Sequence, residues 1–278
     1  LSLFEMHRIF SRRRLSIIAI INLDPHSFYR PSIKKTLTQI IEAVKLYLND
    51  GADIIDIGAV STAPSKIYGD RPDVSEREEL KKVESALKVV FDYFPNVIIS
   101  VDTQRAQVAE KALSMGAQII NDVSGFKRDA KIAKVVAEFD AHCILMACRR
   151  SPGDCCTIDE VMKALTESTR IAVEAGVSED KIAIDPGIGF GKDPRCDLHI
   201  LRHLNALKVF RKPICISPSR KFFVGHVLGG VPPEKRLYGS LAAVAIAVYN
   251  GATIVRTHDV KETLEAAKIA HAIGNLKW

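Results

Sequence analysis

The chain has 278 residues, 47% of them apolar and 26% charged, with a formal net charge of +6. That is enough apolar material for one large core, and no apolar run approaches the ~18 residues that cross a bilayer, so no membrane association is expected. The modest positive balance lacks the basic stripe and aromatic readers of nucleic-acid binding, and suits anionic substrates such as phosphates.

The start of the chain ends in the basic run Arg12, Arg13, Arg14. The apolar stretch after it, Leu15 to Ile21, is too short for a signal peptide and reads as a strand, so a cytoplasmic location is expected. From there, short β-branched runs alternate with amphipathic stretches at intervals of roughly 30 residues, the size of a strand-plus-helix unit. The expected strands are Ile17–Asn22, Asp53–Ile57, Val97–Val101, Gln118–Asn121, His142–Met146, Ile182–Asp185, Pro213–Ser217 and Thr253–Arg256. Their nearly continuous apolar character fits parallel strands covered on both faces. Helices are expected between them, among others over Thr36–Asn49, Ser75–Phe91, Gln104–Ser114, Thr157–Ala175 and Glu262–Ala272. Gly51-Ala52, Gly116-Ala117 and Gly251-Ala252 close several of these, since glycine takes the left-handed conformation that stops a helix.

Eight regular βα units without a linker predict a single (β/α)₈ barrel of the α/β class, a TIM barrel with its site at the C-terminal ends of the strands. An open doubly wound sheet is the alternative, but Gly187, Gly189 and Gly191 lack dinucleotide-fingerprint spacing. The cysteines Cys143, Cys148, Cys155, Cys156, Cys196 and Cys215 match no zinc pattern and are expected as buried or loop thiols; Cys148, Cys155 and Cys156 form the one local group.

Polar residues gather at the C-terminal ends of the expected strands. Asn22 closes the first, Asp56 the second and Asp102 the third; Asn121 and Asp122 close the fourth and Asp185 the sixth. Ser217, Ser219 and Lys221 follow the seventh, Arg256 and His258 the eighth. Single members could be helix caps, with Asp102 or Thr103 serving the third helix and Asp259 the last. Capping does not explain carboxylates, amides and cations at six strand ends together. Inward carboxylates and a carboxamide suit a neutral heterocycle with a guanidine-like edge. Lys221, Arg256 and His258 suit a phosphate or pyrophosphate, and Asn22 is an oxygen ligand of the kind Mg²⁺ accepts.

The segments Asn22-Leu23-Asp24-Pro25-His26-Ser27-Phe28, Asp56 to Pro64, Val101-Asp102-Thr103, Ile120 to Gly125, Asp185 to Lys192, Ser219-Arg220-Lys221 and Arg256 to Val260 resemble dihydropteroate synthase in order and spacing. The resemblance runs from Ile17 onward and implies one pterin-binding barrel domain over residues 1–278. It implies a transferase that condenses 6-hydroxymethyl-dihydropterin pyrophosphate with an arylamine and releases pyrophosphate. Asp102, Asn121, Asp185 and Lys221 would hold the pterin with Asp56 close by, and Met146 and Phe190 would cover its faces. Asn22, Arg256 and His258 would hold the pyrophosphate, Asn22 through Mg²⁺, the one cofactor expected. Ser219 and Thr62 would meet the arylamine. Asp102, Lys221, Arg256 and His258 would carry catalysis, with Mg²⁺, Arg256 and His258 neutralising the leaving group and the carboxylates, chiefly Asp102, stabilising the pterin cation. Homologous barrels often form homodimers through their outer helices.

Two loops depart from the family pattern. Where it usually continues Ser-Phe-Ser-Asp-Gly-Gly, this chain has Ser27-Phe28-Tyr29-Arg30-Pro31-Ser32; where it has Gly-Gly-Glu-Ser-Thr-Arg-Pro, Val60 and Ala63 replace the Glu and Arg. The departures favour a changed second substrate, a ribofuranosyl-aminobenzene phosphate as in the archaeal, methanopterin-type branch, with Arg30 as a relocated cation. The alternatives are an ordinary folate-pathway synthase using p-aminobenzoate, a cobalamin-dependent methyltransferase domain and a non-catalytic pterin-binding domain.

Overall fold

The computed structural model describes residues 10–70 and 72–276. Eight parallel strands, β1 (Ser16–Asn22), β2 (Ile54–Gly58), β3 (Ile99–Asp102), β4 (Ile119–Asp122), β5 (His142–Met146), β6 (Ile182–Asp185), β7 (Cys215–Ile216) and β8 (Ile254–Thr257), pair in the order β6-β5-β4-β3-β2-β1-β8-β7. The seam between β6 and β7 is joined by a bridge between Ile184 and Ile214, the N–H of Ile184 donating to the Pro213 carbonyl at 3.0 Å. The fold is the expected α/β barrel.

Strand ends differ from expectation by a residue or two, for readable reasons. Asp53 precedes β2 because its carboxylate takes the Ile17 N–H at 2.9 Å and the Arg14 guanidinium at 2.6 Å. β7 shrinks to two residues between Pro213, which has no N–H to give, and the turn at Pro218.

The helices are α1 (Leu37–Asn49), α2 (Ser65–Tyr68), α3 (Glu76–Tyr93), α4 (Ala106–Ser114), α5 (Lys131–Glu138), α6 (Ile158–Glu174), α7 (Pro194–Arg202), α8 (Phe222–Val227), α9 (Leu237–Tyr249) and α10 (Val260–Gly274). Ser75 with Glu78 and Thr157 with Glu160 form capping boxes that start α3 and α6, satisfying amides that a helix end leaves free. α9 carries almost no polar side chain, so it lacks the two-faced period that marks the other helices; it packs chiefly on α10.

Alternation along the strands places the site. Side chains of a strand point to opposite faces in turn. Those facing the barrel axis begin with an apolar plug of Phe10, Ile18, Ile54, Ile98, Ile119, Ile144, Ala183, Cys215 and Ile254. Two residues further up, the inward positions of five strands turn polar, with Asp56, Ser100, Asn121, Asp185 and Arg256, while β1 and β5 keep Ile20 and Met146 there. The outward residues, such as Ile17, Ile55, Val101 and Val255, join the helices in the larger core. Hydrophobic burial thus fixes the lower barrel and leaves its upper third for chemistry.

One expectation fails here. Cys156 and Cys196 are joined as a disulfide rather than standing as thiols, because the loop after β5 and the start of α7 bring residues 40 apart in sequence together. Cys143, Cys148, Cys155 and Cys215 are buried thiols as expected.

Candidate active site

The C-terminal mouth of the barrel encloses about 600 Å³ of empty space, part of it open to solvent. Asn22, Thr62, Asp102, Phe190, Ser219, Lys221, Arg256 and His258 all line it. Asp56, Asn121, Met146 and Asp185 are buried at neighbouring strand ends, outside that lining.

Arg256 organises the floor. Its Nε donates to Asp56 Oδ2 at 2.8 Å, and its Nη2 donates to Asp102 Oδ2 at 2.9 Å while lying 2.6 Å from the Asp56 oxygen. The sequence reading assigned these carboxylates to the pterin and Arg256 to pyrophosphate. In the barrel the three side chains pair with one another. β1 runs between β2 and β8, and Asp56 and Arg256 both point inward, about 10 Å apart across two strand spacings, which an arginine spans. Burial pushes the Asp102 carboxyl up to about 7 against the pull of Arg256, with Asp56 adding like charge. The guanidinium, flanked by two carboxylates, is held above its ordinary range despite burial. Asp56 Oδ1 has no hydrogen-bond partner and is buried, an unused acceptor on the floor.

Ser219 and His258, placed apart on the arylamine and pyrophosphate, are one unit. Ser219 Oγ is 3.0 Å from His258 Nδ1 and accepts the His258 N–H at 3.2 Å. Burial, then the charges of Arg256 and Arg220, lower the His258 pKa well below the ordinary value, which keeps the ring neutral. Between Ser219 and Lys221, Arg220 sits at φ +59°, a conformation disfavoured for a side chain with a Cβ. Paired bonds to Asp259 at 2.6 and 2.8 Å hold it there. Asp259 thereby pairs instead of capping α10, and Asp102 likewise pairs instead of capping α4.

Lys221 Nζ donates to the Ile188 carbonyl at 2.6 Å and lies 4.3 Å from the Phe190 ring centre. Burial lowers its pKa to about 8, opposed by Asp185. Asp185 accepts the Gly187 N–H at 2.7 Å, and burial raises its pKa. Gly189, at φ +75°, lies so close to Lys221 that a Cβ there would meet its Cδ at 2.1 Å.

Above this floor the first two mouth loops are stitched together by Asp24, whose carboxylate accepts N–H groups from His26 at 2.8 Å and Ser61 at 2.6 Å. Phe28 stacks on Tyr68 of α2 at 5.1 Å, and Tyr29 lies 5.0 Å from the His258 ring and 4.9 Å from the Arg220 guanidinium. Asn22, on the cavity lining, donates its amide to Ser32 Oγ at 2.7 Å, which leaves its carbonyl oxygen as the acceptor. Arg30 is exposed and is absent from the lining, because the turn Arg30–Ser32 that seats Ser32 against Asn22 carries Arg30 on its outer side.

Residues 18–258 match the model of the pterin binding enzyme family. The chain is 36% identical to a dihydropteroate synthase of Clostridium beijerinckii over 94% of each protein, and 38% identical to that of Bacillus subtilis over 95% of this chain and 90% of the relative. It belongs to the dihydropteroate synthase family.

Members of this family are transferases that form a C–N bond. Among solved structures, the Yersinia pestis dihydropteroate synthase with a sulfonamide drug complex superposes with a TM-score of 0.86 at 33% identity, covering 96% of each chain. The Xanthomonas albilineans dihydropteroate synthase with 4-aminobenzoic acid does so at 0.85 and 31% identity, covering 97% of each. Among the described residues no helix is long and apolar enough to cross a membrane.

Several residues of the site escaped the sequence reading. Asp24 and Tyr68 lie inside or beside motifs already recognised, but their roles depend on contacts between loops. Glu79 of α3 is buried and takes the Thr103 hydroxyl at 2.6 Å and Arg105 at 2.8 Å, bracing the end of β3 beside Asp102. Its position in a helix of many charged residues gives no sign of that.

Proposed function

We propose that the protein is a dihydropteroate synthase that joins 6-hydroxymethyl-dihydropterin pyrophosphate to p-aminobenzoate and releases pyrophosphate. The observation that carries the reading is the mouth itself, where Asp102, Arg256, Lys221 and the Ser219–His258 pair line one cavity and buried Asp56 pairs with Arg256 behind the lining. The folate-pathway amine is preferred over the ribofuranosyl-aminobenzene phosphate because the relatives above are dihydropteroate synthases and one is solved with 4-aminobenzoic acid. The larger amine is the second reading, favoured by the uncharged wall that Val60 and Ala63 give the cavity.

In this reading Asp185 and Asn121 take the pterin's N–H edge, Lys221 donates to its carbonyl, and Phe190 and Met146 cover its faces. Asp102 stabilises positive charge on the ring as the bond from the pterin methylene to pyrophosphate oxygen breaks. Arg256 and Lys221 meet the growing negative charge, and neutral His258, held by Ser219, donates a hydrogen bond. The amine nitrogen then bonds to the methylene carbon and loses its proton to water. The Asn22 carbonyl, a hard oxygen with its amide already committed, fits Mg²⁺, whose other ligands would be water and pyrophosphate oxygens. When bound, Mg²⁺ supplies charge neutralisation of the leaving group. A homodimer is part of the proposal, supported by the exposed apolar side chains Leu198, Val227, Leu228 and Ile246 on α7, α9 and the end of α8.

The experiment is pyrophosphate release from the dihydropterin pyrophosphate with Mg²⁺ and either amine. Release with p-aminobenzoate is expected. Release with only the phosphorylated amine would transfer the reading to methanopterin-type chemistry, and pterin binding without release to a methyltransferase or binding domain.

A further inference from the structure

The Cys156–Cys196 disulfide takes no part in the chemistry above, yet it lies one residue from groups that shape the site. Cys156 ends the loop after β5, and Cys196 sits in the first turn of α7, their Cα atoms 4.7 Å apart. Asp197, the next residue, is buried; it accepts the Gly189 N–H at 2.8 Å and lies 3.4 Å from Lys192 Nζ. Gly189 leads into Phe190, whose ring covers Lys221. On the other side, the loop that ends at Cys156 packs directly on the same wall, since a Cβ at Gly153 would fall 2.1 Å from the Phe190 carbonyl oxygen. The bond therefore clamps the Gly189–Phe190 segment between two elements that both touch it.

The six cysteines are not equivalent. Cys156 is the exposed partner of the bond, whereas Cys196 is buried. Burial pushes the thiols of Cys148 and Cys155 up to about 12 and about 11, so neither competes as a thiolate near neutral pH. A disulfide with one accessible end, among thiols that stay protonated, is open to selective reduction.

We propose that Cys156 and Cys196 form a reversible redox site that fixes the Gly189–Phe190 wall when oxidised and releases it when reduced. In the reducing direction the thiolate of an external dithiol attacks Cys156 Sγ, and Cys196 Sγ leaves and takes up a proton. The reductant's second thiol then displaces Cys156, so two electrons and two protons pass to the protein and the dithiol becomes a disulfide. That the wall serves a pterin rests on the proposed function; the clamp itself does not.

The test uses the whole protein and no pterin. After treatment with oxidised glutathione, denatured protein should show four alkylatable cysteines, rising to six with dithiothreitol, and one peptide pair linking residues 156 and 196. Dithiothreitol should lower Tm by roughly 5–10 °C, the scale for releasing a loop of this length. It should also speed amide exchange in residues 186–193 roughly tenfold over the native baseline. Cys156→Ser and Cys196→Ser should each match the reduced protein and ignore dithiothreitol. Six alkylatable cysteines after oxidation, or equal exchange of residues 186–193 in the two redox states, overturns the proposal. Failure of the synthase assay would leave this result standing, and the reverse also holds.

Discussion

Arg256 on β8 and Asp56 on β2 are 200 residues apart in sequence, and two guanidinium nitrogens lie within 2.8 Å of one carboxylate oxygen. Asp102 accepts from the same guanidinium at 2.9 Å. All three side chains are largely removed from water, so the charges depend on one another. Removing one partner of a buried ion pair typically costs about 3–5 kcal/mol, because the other charge is left uncompensated.

Arg256→Met should therefore destabilise the fold by about that amount, read as a lower urea midpoint at unchanged slope. Adding Asp56→Asn should recover a substantial part, since the amide removes one stranded charge. Arg256→Met with wild-type stability would mean that the cluster is open to water in solution.

Lys221 is expected to trade stability for binding. Its folded pKa of about 8 lies below the ordinary 10.5, a destabilisation of about 3 kcal/mol for carrying the charge at neutral pH. The unfolded chain holds this proton more tightly, so the penalty is full below pH 8 and is relieved as pH rises toward 10.5. Lys221→Met should melt at or above the wild-type temperature at pH 7, lose that advantage by pH 10, and bind pterin at least tenfold more weakly. A variant that melts well below wild type at pH 7 would contradict this.

Ser219→Ala deletes both contacts that hold the His258 ring and backbone. The expected result is a stability loss of about 1–2 kcal/mol and a fall in kcat/KM for the pterin pyrophosphate of roughly tenfold, with KM for the arylamine nearly unchanged. A selective rise in the arylamine KM would instead place Ser219 at the second substrate, the role the family resemblance implies.

Arg30→Ala should leave both Michaelis constants within about twofold of wild type, because the side chain is exposed and outside the cavity lining. Ala63→Arg, which puts a cation on that lining, should lower KM for p-aminobenzoate. Loss of arylamine saturation in Arg30→Ala would show that the first loop closes further during turnover than in this structure.

Much of the site was legible from one sequence because a barrel carries strand ends to one rim whatever its helices do. Asn22, Asp102, Lys221, Arg256 and His258 could be placed at the mouth from the ends of apolar runs alone. Their partners could not. Arg256 reaches Asp56 through a register that puts β1 between β2 and β8, and Ser219 meets His258 only because β7 adjoins β8. That Arg30 stands outside the cavity lining was not legible either, because a charge in a loop carries no mark of which side it faces. The Cys156–Cys196 bond depends on loop lengths that bring α7 under the loop after β5, which spacing does not encode. The sequence by itself determined the barrel, its polar rim and the family, since these follow from period, alternation and motif order. Which charges neutralise which, and which loops are tied together, only the tertiary structure decided, because those contacts join residues far apart in the chain across distances that closure of the barrel sets.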